Sequence, residues 1–180
     1  MIKTFSSVKE LNKVLRQQVI LQTELPANNV RNGLSTYGET LEKLLAKQTY
    51  EAYEQEDSFI VFELKTRQNE SDVSYTNDDD TVTYDRSYEL ICYIYGNSSA
   101  DVANKLVARL RTEKVRTDLY DQGVYLEKVN EPISFNEYKN DMMWLRTDVS
   151  IMISCEFKLN QVEIEEPIVK LSDLEIVIKE

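Results

Sequence analysis

The most regular stretch of the chain runs over residues 145–159. There Leu145, Thr147, Val149, Ile151, Ile153, Cys155, Phe157 and Leu159 alternate with Arg146, Asp148, Ser150, Met152, Ser154, Glu156 and Lys158. Successive strand residues point to opposite sides, so this alternation predicts a long antiparallel strand with one buried and one mostly wet face. Residues 81–95 form a second such pattern, with Val82, Tyr84, Tyr88, Leu90, Cys92 and Ile94 on one side. Ile91, Tyr93 and Tyr95 fall on the other, which predicts that the second half of this strand is central and covered on both faces. Residues 59–64 are rich in β-branched and aromatic side chains, and 124–129 reads as a short strand that Pro132 breaks.

Apolar residues at spacings of three and four mark the helices. Residues 6–22 place Val8, Leu11, Leu15 and Val19 on one face, with Ser7 and Glu10 as a capping box and Pro26 as a stop. A shorter helix is predicted over 39–50, with Leu41, Leu44 and Leu45 inward. After the turn at Gly96 and Asn97, Ser98 or Ser99 caps a helix that buries Ala103, Leu106, Val107 and Leu110. A further helix over 113–122 ends at Gly123. Residues 27–38 read as a turn-rich connection, and 67–80 as a mobile loop or a long hairpin tip. The order strand, strand, two helices, strand, long strand predicts an α+β domain over residues 1–160. Its sheet is mixed and mainly antiparallel, with helices packed on one face. Residues 28–57 are a candidate contact arm, and 161–180 an acidic, β-prone extension split by Pro167.

Composition narrows the chemistry. The chain contains no histidine, so zinc sites and Ser-His-Asp or Cys-His machinery lose their usual imidazole. Cys92 and Cys155 lie in apolar strand patterns and read as small hydrophobes. The four glycines build no phosphate-cradling loop. Asn77, Asp78, Asp79 and Asp80 lack the mid-loop glycine of a calcium-binding loop and read as solvated; Glu163, Glu165 and Glu166 read as a charged strand edge. The expectation is no catalytic residue, no metal and no cofactor.

A net charge of −11 opposes a nucleic-acid binding surface, although DNA can slide along an acidic wall without adhering. No apolar run approaches the ~18 residues of a membrane span, and the N-terminus lacks a secretory layout, so a cytoplasmic origin is expected. Lys105, Arg109 and Arg111 lie off the apolar stripe of their helix and, with Lys114 and Arg116, form the densest run of positive charge. These five are the candidate subunit or partner contacts. The eleven tyrosines suit either sheet packing or interfaces, and Trp144, beside Met142 and Met143, is a contact surface or a core plug.

The run Tyr84-Asp85-Arg86-Ser87-Tyr88-Glu89, then Ile94-Tyr95-Gly96 and the helix with Ala103 and Leu106, resembles the core of phage neck or tail terminator proteins. Val115-Arg116-Thr117-Asp118-Leu119, Gly123-Val124 and Trp144-Leu145-Arg146-Thr147-Asp148-Val149 continue the likeness, which covers residues 81–159. The resemblance implies a virion protein, assembled in the host cytoplasm. It implies a hexameric ring that caps the tail tube and meets the head-side connector, with the sheath as a further neighbour and DNA passing through the channel. Six copies at −11 would gather about −66, so basic patches at the seams must offset repulsion. The alternative is a non-catalytic cytoplasmic α+β module that binds a ligand or a protein.

Overall fold

The computed structural model describes residues 3–33, 58–67, 76–78, 81–139 and 142–160. The predicted helix over 39–50, most of the candidate arm 28–57 and the extension 161–180 lie outside the described residues.

Two long strands, β4 (Thr81–Tyr95) and β7 (Met142–Asn160), pair antiparallel along the whole of β4, from Thr81 opposite Asn160 to Tyr95 opposite Arg146. Shorter strands flank this spine. On one side β2 (Phe59–Thr66) and β3 (Thr76–Asp78) both pair antiparallel with β4, and β1 (Val30–Asn32) adds a parallel edge beyond β2. On the other side β5 (Val124–Val129) and β6 (Ile133–Lys139) lie end to end along β7. Among the described residues the result is a mixed, mostly antiparallel seven-stranded sheet.

Helices α1 (Val8–Thr23), α2 (Ser99–Leu110) and α3 (Glu113–Asp121) cover one face of that sheet. Leu11, Leu15 and Val19 of α1, the predicted stripe of α2, and Leu119 of α3 meet Ile60, Phe62, Leu90, Cys92, Ile94, Val149, Ile151 and Ile153 in one apolar core. The α+β architecture and its one-sided helix layer agree with the sequence reading. The 145–159 alternation has the predicted phase, with Val149, Ile151, Ile153, Cys155 and Phe157 buried.

Several expectations change. Val8 is exposed, because the buried face of α1 turns instead through Val14, Gln18 and Gln22. α1 ends at Thr23, just short of Pro26, and its cap is Glu24, in the left-handed region at φ 61° with its N–H on Ile20 O. Leu145 keeps the phase of the core but is 44% exposed, since β4 ends opposite Arg146 and leaves it on a ribbon of two strands. The 27–38 connection contains the edge strand β1, and the 67–80 segment contains β3, paired with the start of β4. β6 was hidden because its polar residues Asn136 and Glu137 disguised a strand.

Phe5 closes the sheet at its far corner. Its N–H donates to Glu156 O and its carbonyl accepts from Lys158 N–H, both at 2.9 Å, which extends the ladder past β5 on the same side of β7. Gly123 makes this possible. It follows α3 at φ +83°, and a Cβ there would lie 2.0 Å from Lys3 O.

Candidate assembly interface

The five basic candidates separate into two groups. Lys105 and Arg109 on α2 both reach Glu24, the residue that ends α1, with Arg109 Nη2 at 2.5 Å. Arg109 Nη1 also donates to Leu21 O and Gln22 O, so it caps carbonyls that the end of α1 leaves unpaired. Hydrogen bonds from Lys105, then from Arg109, hold the Glu24 carboxyl down to about 2 from an ordinary 4.5. These two side chains fasten α1 to α2.

The second group lies one turn on. Arg111 bonds Val129 O at 3.1 Å and Glu131 at 2.7 Å, and Arg116 donates to Leu126 O at 3.0 Å. Lys114 is exposed and has no ion pair among the described residues. Arg111 and Arg116, with Glu113, Tyr120, Tyr125 and Leu126, line a groove of about 390 Å³ between α3 and β5. Tyr120 and Tyr125 are both exposed there.

A surface that the sequence reading touched only at Met142, Met143 and Trp144 lies on the β6–β7 hairpin. Beyond the end of β4 these two strands pair only with each other and carry Tyr138, Met143 and Leu145 into solvent, while Ile133 and Phe135 are exposed on β6 where β7 still pairs with β4. Ile133 and Tyr138 are each 68% exposed. Clustered large apolar side chains in water mark contact surfaces. Counting β6 as a strand was the missing step, since Ile133, Phe135 and Glu137 alternate with Ser134, Asn136 and Tyr138.

The root of this hairpin is stiff. Arg146, expected on a wet face, is only 13% exposed at its side chain. It grips Asp148 with two hydrogen bonds of 2.7 and 2.6 Å and donates to Glu137 at 3.2 Å. Its guanidinium lies 4.5 Å from the Tyr93 ring centroid and 4.6 Å from that of Phe135. Burial pulls the Arg146 pKa down, but Asp148, Tyr95 and Glu137 more than offset this, so the charge is fixed. Tyr95 donates to Glu137 at 3.1 Å, and Tyr93 to Glu63 at the same distance. Trp144 plugs the adjoining cluster of Phe59, Val61, Tyr93 and Tyr95 on the face away from the helices, which decides between its two readings.

The tyrosines divide accordingly: Tyr88, Tyr93 and Tyr95 are packed in the sheet, whereas Tyr120, Tyr125 and Tyr138 face solvent. Both cysteines are free and buried, and burial pushes each thiol up to about 12. Among the described residues no cluster of three or more potential metal ligands occurs, and no helix is long and apolar enough to cross a membrane.

The described residues thus form a helix-backed α+β sheet with an exposed apolar hairpin and a groove lined by Arg111 and Arg116. The phage neck terminator protein family matches residues 9–180, and the chain belongs to that family. No curated protein matches the chain significantly. The family is structural, and membership implies a role at the neck of the virion, among other tail and head–tail joining proteins.

Proposed function

We propose that the chain is a tail terminator whose copies close into a ring, expected to be hexameric, that caps the tail tube and joins it to the head-side connector. The observation that carries this reading is the apolar β6–β7 hairpin, a rigidly rooted ribbon with large side chains in water on both faces. A two-stranded ribbon of this kind gains stability by docking, and a ring subunit needs two different surfaces that fit each other head to tail. The second surface in this reading is the basic run. Arg111, Lys114 and Arg116 face acidic residues of the neighbouring copy, while Lys105 and Arg109 hold the α1–α2 corner firm behind them. DNA would pass along the acidic remainder without sequence-specific binding.

The test is electron microscopy of purified tail tubes mixed with the chain. Rings are expected at tube ends with the wild-type chain. A Lys114→Glu, Tyr138→Ser variant should keep its melting temperature and leave tubes open. Wild-type chain that leaves every tube open, or caps it without a ring, overturns the reading.

A further inference from the structure

We propose that the groove between α3 and β5 is the seat of the acidic C-terminal segment, residues 161–180, of the adjacent copy. This rests on the ring reading and names the acidic partner that the basic run meets.

The groove has a defined chemical character. Tyr120, Tyr125 and Leu126 give it apolar walls, and Arg111 and Arg116 place positive charge beside them; Glu113 shares the lining, and Glu131, an exposed residue at its margin, pairs with Arg111. Lys114, on the same helix, adds to the positive side. Both arginines are already oriented by backbone carbonyls, at Val129 and Leu126, and each retains further N–H donors for a carboxylate. Little side-chain freedom remains to be lost on binding. The matching ligand is an extended segment that alternates carboxylates with aliphatic side chains.

Residues 161–180 have that pattern. Val162-Glu163-Ile164-Glu165 alternates at strand period, and the segment holds Glu163, Glu165, Glu166, Asp173, Glu175 and Glu180 against Lys170 and Lys179. Charge and shape therefore both complement the groove.

The direct route from β7 to the chain's own groove is obstructed. The segment leaves β7 after Asn160, which pairs with Thr81. The direct way back to β5 would run along the outer side of β7, and Phe5 already occupies that side through its bonds to Glu156 and Lys158. Lys3 fills the adjoining space against Gly123. Twenty extended residues span at most about 70 Å, ample to cross to another subunit.

The test uses the full chain with a photoreactive benzoylphenylalanine in place of Tyr125. Equal parts of ¹⁵N-labelled and unlabelled chain are assembled on tail tubes and irradiated, and the cross-links are mapped by mass spectrometry. Cross-links from position 125 to residues 161–180 are expected, with mixed-isotope pairs making up about half of them by random pairing. They should fall at least tenfold in a Glu163→Lys, Glu165→Lys, Glu166→Lys variant with unchanged melting temperature. Cross-links confined to one isotope, cross-links elsewhere, or links that survive charge reversal overturn the inference. Microscopy of the same samples separates the two claims: rings without the cross-link remove this inference alone, and absence of rings removes the ring reading with it.

Discussion

The two faces of the sheet are built on different principles. Under the helices, Ile60, Phe62, Leu90, Ile94, Val149, Ile151 and Ile153 join Leu11, Leu15 and Leu106 with no charge among them. On the opposite face, the cluster of Phe59, Val61, Tyr93, Tyr95 and Trp144 adjoins an arginine and its carboxylates, with Tyr93 and Tyr95 against the guanidinium. The first face gains stability from area removed from water and tolerates any side chain of suitable shape. The second depends on direction, because a buried guanidinium must find its acceptors or carry a large desolvation cost. The directional face lies at the root of the β6–β7 hairpin, where orientation of the ribbon matters more than raw stability.

Three measurements break or sharpen this contrast. Ile151→Ala removes packing from the centre of the apolar face and should lower unfolding free energy by roughly 2–5 kcal/mol in denaturant titration. A value under 1 kcal/mol would mean that the helix layer is loosely seated. Arg146→Met leaves Glu137 and Asp148 without their counter-charge and should cost about 3 kcal/mol. Adding Glu137→Gln and Asp148→Asn should recover much of that loss; a neutral Arg146→Met would show that the second face is ordinary apolar packing. The smallest effect is at the outer rim, where Glu24 ties α1 to α2. Its folded pKa is depressed to about 2, so its contribution is fully present above the ordinary 4.5 and is lost as pH falls through about 2. Melting curves of wild type and Glu24→Gln should therefore differ most near neutral pH and converge in acid. A gap that persists below about pH 2 would assign the effect to packing instead.

The apolar face was legible in the sequence because its signal is periodic. The phase of β7, the buried stripe of α2 and the whole of β5 follow from spacing alone. Arg146 was misjudged because alternation reports polarity and assigns every charge to water. A local clue was present, since Arg146 and Asp148 stand two apart on a strand and so share a side, yet the rings that roof them come from β4 and β6. β1 and β6 escaped notice for another reason. The first spans only three residues, and the second has Asn136 and Glu137 where a buried strand would be apolar. The basic run was visible, but not its division: which cations meet Glu24 depends on how α1 lies against α2, and no local pattern encodes that.

The seat of Phe5 has a consequence for synthesis. Its ladder partners, Glu156 and Lys158, lie about 150 residues later in the chain, and β4 waits for a partner, β7, that begins at Met142. Pairings at such separation close late and slowly. Until β7 leaves the ribosome the central pair of the sheet cannot exist, and Phe5 has no ladder to join. Completion of the sheet is thereby deferred until Met142–Asn160 has been made. A chain cut short before Lys158 has no finished corner at Phe5 and Gly123.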